Sequence, residues 1–452
     1  MRRSTRVANK KTKAYSTSYE AVSPISDGRK KSQRRQQRGK DYISEIPDDI
    51  LTIILSQLNI KEAVKTCILS RKWRFVWSYV SNVFNFDASK EDLFHDEHNI
   101  GQRHTFEMTV WNVLKKHKGP FISELSIQYP YHCDYQVFHR QLQFLIDMCM
   151  KKGVKSLFID FRRAEIYPRR PAQRLGSFCS LTSLVSLRLI NANISVDFIH
   201  HLLSNSPNLE VLTVVNSLPE PSNLKFCGPC RRLKHLELRL DVIQTIEISS
   251  APHLETLELY PINRDINIIF NDIPDSLTRI SYGFVVVKEP LITSLFSQLK
   301  SLAMRTWSFT SQDRPHFPAM MRNLKEIKLK LDGDCIEDFN SCFSLIDASP
   351  VLTKAYFILS LAGIFTKPHR KFKFSRHPDF LGRSKHQCLE VVGVFEFTDC
   401  DSDQELVTYL ARYAENLQKI NIKCSGYGKL EVSRVSKLKS VLPPSVELKI
   451  LP

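Results

Sequence analysis

The sequence predicts an α/β protein in which a short three-helix segment precedes a long array of repeats built on a parallel sheet. Three observations support this fold class. A dense apolar stretch begins at Ile46 and carries the start signals of three short helices. From Ile122 onward, apolar residues recur at positions n, n+3 and n+5. The intervals between these copies are typical of repeat proteins.

The first 40 residues are strongly basic and lack apolar periodicity. They hold thirteen Lys and Arg against two acids, so this tail contributes +11 of the formal net charge of +17. Such a segment is expected to be disordered. Its densest cluster suits a nuclear import signal, and the candidate residues are Arg29, Lys30, Lys31, Arg34, Arg35 and Arg38. A solvated tail without a specific partner is the alternative. We expect a nuclear protein, with the cytoplasm as a second compartment.

Composition argues against secretion and against membrane insertion. The eleven cysteines show no disulfide-like spacing, and no apolar segment follows Met1. The longest apolar run, Ala355 to Phe365, is shorter than the roughly 20 residues that a helix needs to cross a bilayer. We therefore expect a reducing compartment and no membrane partner.

The apolar stretch opens with a predicted helix after Ile46. Pro47 suits a helix start because its missing N–H has no helical partner there. Asp48 and Asp49 follow, where the helix dipole favours negative charge. The apolar residues of this helix cover more than one face, which is unusual for a surface helix; they are Ile50, Leu51, Ile53, Ile54, Leu55 and Leu58.

Two further helices are predicted from their capping residues. Asn59 with Glu62 three positions later is a variant of the capping box, and it starts the second helix. Ser70 is the predicted N-cap of the third helix, on which Trp73 and Trp77 share one face.

Three short helices in about 35 residues make a poor independent core, because chains below about 40 residues usually need a metal, a disulfide or a partner. This stretch has only Cys67 and no histidine, so metal and disulfide support are excluded. The surplus apolar surface must meet another surface. It is either the rest of the chain, with the helices as a capping subdomain, or another protein.

Residues 43–78 resemble an F-box of the plant type. The matching runs are Ile46–Leu51, Leu55–Ser56, Lys61–Thr66, Ile68–Arg74 and Trp77. The resemblance implies helices that dock on the Skp adaptor of a cullin-based ubiquitin ligase. The docking residues that it implies are Ile46, Pro47, Ile50, Leu51, Ile54, Leu58, Val64, Leu69 and Trp73. Ile46 stands where the family most often has leucine, and a swap that conserves volume changes little.

The apolar pattern of the remaining chain predicts leucine-rich repeats. The clearest copies start at Leu184, Leu209, Leu233, Leu254, Leu299 and Leu324. Weaker copies start at Ile122, Val154, Leu277, Leu352, Leu389 and Leu417. Between Leu184 and Leu352 the starts are 21 to 28 residues apart, and leucine-rich units run about 20–29 residues.

Each copy predicts a short strand whose two leucines face the core while the residue between them faces outward. Stacked units bury their apolar sides together, which gives a solenoid with a curved parallel sheet. A loop or helix is expected to return on the convex side. The outward positions are the candidate face for a protein substrate, although ordinary solvated positions remain the alternative; they are Arg188, Thr213, Glu237, Arg239, Glu258, Tyr260, Arg305, Lys328 and Lys330.

The C-terminal part is similar to the FBD domain that often follows F-box and leucine-rich segments in plants. The matching runs are Cys388–Val392, Phe395–Phe397, Gln404–Leu410 and Asn416–Ile422. It is predicted to add strand, helix and strand, and to cap the array. The predicted organisation is a tail at 1–40, an F-box at 41–80, a connecting segment at 81–121, repeats at 122–379 and an FBD-like region at 380–452.

Motifs that would indicate catalysis or metal binding are weak. Cys227-Gly228-Pro229-Cys230 has the spacing of a redox pair, but a turn between two repeats explains it as well. A zinc site would need two more ligands. His95 and His98 do not form a zinc-protease motif. We expect no catalytic residue, no metal and no cofactor.

These observations predict the substrate-recognition subunit of an SCF-type (Skp–cullin–F-box) ubiquitin ligase, which would be a non-catalytic adaptor. The expected partners are a Skp-family adaptor, through it a cullin, and an unknown protein substrate. The alternative is a non-catalytic nuclear interaction scaffold that does not assemble with a cullin. A nucleic-acid-binding role would rest on the basic tail alone, and no aromatic residue interleaves with its densest cluster.

Overall fold

The structure is a computed structural model of the chain. The residues that it describes are 45–81, 83–88, 100–129, 135–161, 181–192, 194, 196–215, 222–226, 231–239, 243–249, 251–260, 266–282, 285–287, 292–305, 321–331, 336–359, 383–397, 401–424, 438–440 and 442–451. The chain divides into two units, residues 1–46 and 47–452. Only residues 45 and 46 of the first unit are described, and everything below concerns the second unit unless stated otherwise.

Helices dominate the N-terminal part of the second unit and recur between the strands. They are α1 Asp48–Ser56, α2 Ile60–Lys65, α3 Trp73–Val76, α4 Ile100–Lys116, α5 Tyr135–Lys152, α6 Val196–Asn205, α7 Ile292–Gln298, α8 Ile336–Asp347 and α9 Asp401–Tyr413. Two 3-10 turns, Thr66–Ile68 and Trp77–Tyr79, follow α2 and α3. Of the described helices, none is both long enough and apolar enough to cross a membrane.

Eighteen strands lie in the described residues. They are β1 Val83–Asp87, β2 Glu124–Gln128, β3 Ser156–Asp160, β4 Ser186–Ile190, β5 Val211–Val215, β6 Ser222–Phe226, β7 His235–Arg239, β8 Ile243–Ile248, β9 Thr256–Leu259, β10 Ile266–Phe270, β11 Arg279–Tyr282, β12 Val285–Val287, β13 Ser301–Arg305, β14 Glu326–Leu331, β15 Lys354–Leu359, β16 Val391–Phe397, β17 Lys419–Cys424 and β18 Glu447–Leu451.

Local capping starts the first helices much as the sequence predicts. Pro47 is the N-cap of α1. The capping box of α2 is complete, because Asn59 Oδ1 accepts from the Glu62 N–H at 2.9 Å while Glu62 Oε2 accepts from the Asn59 N–H at 3.4 Å. The N-cap of α3 is Lys72 and not the predicted Ser70, whose Oγ nevertheless accepts from the Trp73 N–H at 3.3 Å. These side chains satisfy helix-start donors that have no partner within the helix.

The three N-terminal helices bury one side on their own chain. Helix α1 contacts α3 and the 3-10 turn Trp77–Tyr79, and α2 contacts β1. The buried apolar residues of this segment are Leu51, Leu55, Ile60, Ala63, Trp73, Val76 and Trp77. Part of the surplus apolar surface therefore packs on the chain itself.

Fourteen of the described strands form the main parallel sheet, in the order β1-β2-β3-β4-β5-β7-β9-β11-β13-β14-β15-β16-β17-β18. All twelve predicted copies of the apolar pattern end in strands of this main sheet, so the repeat prediction is confirmed. Equivalent leucines align across neighbouring strands, as Leu187, Leu212 and Leu236 do, and all three are buried. The α/β fold class with a parallel repeat sheet is confirmed.

Several repeats return by a strand, which the sequence prediction of a loop or helix missed. Strands β12-β10-β8-β6 form a second parallel sheet of four. The three intervals between Leu209 and Leu277 measure 24, 21 and 23 residues, and each contains one of β6, β8 and β10. The longer intervals after Leu184 and Leu324, of 25 and 28 residues, contain α6 and α8. A strand rises about 3.3 Å per residue and a helix 1.5 Å, so short repeats return more economically as strands.

Segment 81–121, predicted only as a connection, supplies the first strand of the main sheet. Strand β1 pairs in parallel with β2, with Phe84 beside Leu125 and Phe86 beside Ile127. Helix α4 follows in the same segment. At the other end, the predicted strand, helix and strand of the FBD-like region are β16, α9 and β17, and β18 adds a further strand.

Candidate adaptor-docking face and outward sheet face

Exposed large apolar side chains are concentrated in the sequence of the N-terminal helices. Of fifteen such side chains exposed among the described residues, eight lie within 30 residues of sequence. They are Ile50, Ile53, Ile54, Leu58, Ile68, Leu69, Phe75 and Tyr79, and we call them the apolar helix face. Single exposed apolar residues are normal, but a concentration of this kind marks an interaction surface.

The predicted docking residues divide between this face and the interior. Pro47, Ile50, Ile54, Leu58 and Leu69 are exposed. Ile46 and Val64 are half-buried, and Ile46 belongs to the first unit.

Leu51 and Trp73 require a correction, because they are 0% and 6% exposed and cannot present a surface to a partner. Leu51 shares its side of α1 with Leu55, four residues on, and this side turns toward the chain's own core. We infer that Leu51 and Trp73 stabilise the helices that carry the apolar helix face.

Sequence analysis missed four members of the apolar helix face. Ile53 lies in α1 beside predicted residues, while Ile68, 84% exposed, ends the 3-10 turn that follows α2. Phe75 and Tyr79 lie in and after α3, and the Lys118 Nζ stands 5.8 Å and 5.9 Å from their ring centroids. Helical periodicity alone places apolar residues on all sides of this segment, so it does not separate the inner side from the outer.

A hydrogen-bonded joint connects the N-terminal helices to the first repeats. The N–H groups of Lys118 and Gly119 donate to the Ser78 carbonyl at 2.7 Å and 2.9 Å. The Lys152 ammonium at the end of α5 donates to the carbonyls of His117 and Gly119 at 3.1 Å and 2.9 Å. The joint therefore ties the turn after α3 to the ends of α4 and α5.

His117 lies buried at the centre of this joint. Its Nε2 is 3.0 Å from the Val80 carbonyl oxygen, so Nε2 carries the proton and donates it. Its ring packs edge-on against Phe84 at 5.1 Å between centroids. Burial lowers the pKa of His117 to about 4, although the bond to Val80 acts in the opposite direction. The imidazole is therefore neutral at physiological pH.

The strand register places the predicted substrate-face residues in two rows on the main sheet. The first row contains Arg188, Glu237, Glu258 and Lys328 at equivalent positions. The second row, two residues further along each strand, contains Arg239, Tyr260, Arg305 and Lys330. The side chain of Arg305 lies outside the described residues. Thr213 is in the first row but is buried, so the prediction that it lies exposed on this face is wrong.

Charges in the middle of this face are satisfied within the face itself. The Arg239 Nε donates to Glu237 Oε1 at 2.7 Å, and Thr213 Oγ1 donates to Glu237 Oε2 at 3.3 Å. The Arg239 guanidinium stands 4.4 Å from the centroid of the Tyr260 ring, and Tyr260 donates to Glu258 Oε2 at 3.3 Å. Burial raises the pKa of Tyr260, so its hydroxyl stays protonated. The polar groups of this network are therefore satisfied by one another.

The described residues contain no group of three or more His, Cys, Asp or Glu arranged to hold a metal ion. The Cys227–Cys230 pair, His95, His98 and the six candidate import residues all lie outside the described residues. Cys149 is fully buried and burial raises the pKa of its thiol, which suits an inert core residue.

Two family models match the chain. The F-box domain model matches residues 43–85. The model described as "At1g61320/AtMIF1, LRR domain" matches residues 102–443, which is more than half of the chain. The two matches follow each other along the sequence in the order of the apolar helix face and the main sheet.

Curated relatives from Arabidopsis thaliana are F-box proteins, and two of the three described next are also leucine-rich repeat proteins. "F-box/LRR-repeat protein At5g02910" is 27% identical over 287 residues, covering 55% of this chain and 56% of the relative. "F-box/FBD/LRR-repeat protein At3g52680" is 26% identical over 244 residues, covering 54% and 50%. "F-box protein At1g80960" is 30% identical over 222 residues, covering 48% and 40%. The chain thus spans about half the length of the curated relatives it matches. The chain belongs to the plant family of F-box proteins with leucine-rich repeats.

Proposed function

We propose that this chain is the substrate-recognition subunit of an SCF-type ubiquitin ligase. In this proposal the apolar helix face docks a Skp-family adaptor, the adaptor recruits a cullin, and the outward face of the main sheet holds a protein substrate. The observation that carries the proposal is the exposure of eight large apolar side chains within the segment that matches the F-box domain.

The size of the apolar helix face is adequate for a stable partner. Fully burying one Ile, Leu or Phe contributes about 1.5–3 kcal/mol, and these side chains are on average about half exposed, so covering all eight contributes roughly 6–12 kcal/mol before the costs of association. An affinity in the micromolar range corresponds to about 8 kcal/mol. The loss of one central side chain should therefore weaken the complex measurably.

The contribution of the chain to ubiquitin transfer would be proximity. Holding a substrate lysine near a loaded ubiquitin carrier makes the transfer effectively intramolecular, which is worth up to about 7–11 kcal/mol when the groups are well oriented. The hydrogen-bonded joint around His117 supports such positioning, because it fixes the helices to the first strands of the array. In this proposal no residue of the chain acts as acid, base or nucleophile.

Co-purification tests the proposal. The full chain is co-expressed with a Skp-family adaptor and a cullin, as wild type, as Ile54→Glu and as Ile450→Glu. Ile54 on the apolar helix face is 43% exposed and Ile450 on β18 is 45% exposed, so the two substitutions are matched in chemistry and in exposure. We expect Ile54→Glu to lower adaptor recovery at least about tenfold, since it places a charge in an apolar interface. Ile450→Glu should leave recovery unchanged.

The outcomes separate the proposal from its alternatives. Recovery of adaptor and cullin with the wild type, lost in a folded Ile54→Glu, supports the ligase subunit. Recovery of the adaptor without the cullin would contradict the ligase subunit and support the non-catalytic scaffold. Failure to recover the adaptor with the wild type would mean that the helices serve only to cap the repeat array.

A further inference from the structure

One end of the outward sheet face carries three lysines, Lys328, Lys423 and Lys449, that form no ion pair with another described residue. Register places Lys328, Tyr356, Gly393, Asn421 and Lys449 in one row across β14 to β18. The neighbouring row holds Lys330, Ile358, Phe395, Lys423 and Leu451. Neither row contains an Asp or Glu.

Three lysines of these rows lack the ion pairs that are present in the network around Glu237. Lys328, Lys423 and Lys449 are exposed, and none of them forms an ion pair with another described residue. Glu396, exposed at the bulge after Phe395, pairs with none of them in the described part of the chain. Positive charge is thus left available on this part of the face.

Two aromatic rings lie between these lysines over a glycine. The ring centroids of Tyr356 and Phe395 are 6.1 Å apart, and the Lys328 Nζ is 5.9 Å from the centroid of Tyr356. A Cβ at Gly393 would come within 2.5 Å of Tyr356 Cδ1 and 2.9 Å of Phe395 Cε2. Any larger residue would displace the rings, so the rings occupy the space that a side chain on β16 would fill. Glycine inside a strand often marks close approach by another group.

We propose that Lys328, Tyr356, Gly393, Phe395 and Lys423, the lysine–aromatic patch, bind an acidic peptide segment that carries a central aromatic or aliphatic side chain. The carboxylates pair with Lys328 and Lys423, and the apolar side chain rests on the two rings. Strands in a sheet lie about 4.8 Å apart and rise about 3.3 Å per residue, and Lys328 on β14 and Lys423 on β17 are three strands and two register positions apart. They are therefore separated by about 16 Å, the length of about five extended residues. This inference rests on the proposed function, since it specifies the substrate that the array would hold.

Charge and composition favour a peptide over a nucleic acid. The two rows over β14 to β18 carry lysine but no arginine, and arginine is the side chain best suited to bidentate recognition of phosphate and bases. The two rings contact each other at a tilt of 48° and are half-buried, so they do not form a continuous stacking platform for successive bases.

Fluorescence anisotropy with defined probes tests the patch on the full chain. The probe is a fluorescein-labelled peptide with three glutamates on either side of two central phenylalanines. Its controls carry glutamine in place of glutamate or alanine in place of phenylalanine, and a labelled single-stranded oligo(dT) is the nucleic-acid arm. The charge variant is Lys328→Glu/Lys423→Glu. Its matched control is Lys300→Glu/Lys325→Glu, which makes the same charge change at exposed positions before β13 and β14, outside the two rows.

We expect the patch variant to bind the acidic aromatic peptide at least about tenfold more weakly, because two attractive contacts become repulsive, while the control changes less than about twofold. Tyr356→Ala should weaken the phenylalanine probe more than the alanine probe. Equal losses in the two charge variants would assign the binding to net charge, the basic tail included, and would overturn the inference. Undetectable binding, or tighter binding of oligo(dT), would also overturn it.

Adaptor recovery, measured on the same preparations, keeps the two proposals apart. A patch variant that retains the adaptor while losing the peptide confirms the inference within the proposed function. If the chain recovers the adaptor but binds none of the peptides, only the inference is overturned. Loss of the adaptor from the wild-type chain would overturn the proposed function itself.

Discussion

At the scale of single residues, His117 shows how a buried neutral side chain connects two parts of the chain. Its Nε2–H bonds to Val80 just after the N-terminal helices, while its backbone carbonyl accepts from Lys152 of α5. A charged imidazole in this position would face the nearby Lys152 ammonium and would lose its hydration. The joint is therefore stable only while His117 is neutral.

The pKa of His117 predicts a loss of stability in acid. In the unfolded chain the histidine titrates near 6.5, whereas in the folded chain its pKa is about 4. As pH falls through this window the unfolded chain takes up a proton that the folded chain does not, so the free energy of unfolding falls by at most about 3 kcal/mol and then levels. Urea unfolding at pH 7 and pH 4.5 measures this fall in the free energy of unfolding. His117→Gln should show a smaller pH dependence, and an unchanged slope in that variant would contradict the assignment.

Leu51 and Ile54 give opposite predictions although they lie three residues apart in α1. Leu51→Ala empties a fully buried position and should lower the free energy of unfolding by about 2–5 kcal/mol. Ile54→Ala removes an exposed side chain and should change stability by less than about 0.5 kcal/mol while weakening adaptor binding. Thermal unfolding and adaptor titration on the same two variants check both. Equal stability of the two variants would show that Leu51 is not part of the interior.

The outer and inner sides of the N-terminal helices are where sequence analysis was least complete. The capping box of Asn59 and Glu62 has a local physical cause and was predictable from its neighbours in sequence. Which apolar residues are covered depends on the packing of α1 against α3 and of α2 against β1, and these contacts join separate elements that helical periodicity does not describe. For this reason the segment could be identified while its docking residues were only partly correct.

At the scale of elements, α2 depends on its capping box because it is only six residues long. Short helices have few internal hydrogen bonds, so a satisfied N-terminus is a large share of their stability. Asn59→Ala should destabilise the N-terminal helices by about 1 kcal/mol, whereas Asn59→Asp should keep the cap. The rate of amide hydrogen exchange at Glu62 measures the loss of the cap at the residue whose N–H it binds. Similar exchange rates in the alanine and aspartate variants would contradict a role for the cap.

The repeat strands were predictable because each carries the same spacing of apolar residues. Strand β1 escaped detection because its core positions are Phe84 and Phe86, with serine at the position where a copy would start. The return strands β6, β8 and β10 escaped because runs such as Ile243–Ile248 are short, and short apolar alternation does not distinguish a strand from a loop. Interval length, which is available from the sequence, distinguishes the strand returns between Leu209 and Leu277 from the helical returns after Leu184 and Leu324, but the 22-residue interval after Leu277 contains both β12 and α7.

At the scale of the whole molecule, two surfaces of different chemistry lie in separate segments of one chain. The apolar helix face lies in residues 50–79 and the lysine–aromatic patch in residues 328–423, so the two proposed partners would bind different segments. Because a repeat contacts mainly its neighbours, a change at one end of the array is expected to leave the other end intact.

The most direct test of this account is the footprint of a purified Skp-family adaptor on the full chain, measured by amide hydrogen exchange. The account predicts slower exchange in α1, α2 and α3 and in the turns that follow α2 and α3, with no change in β14 to β17. Protection confined to the main sheet, or absent from the N-terminal helices under conditions where the adaptor is bound, would contradict the central claim that the apolar helix face is the docking site.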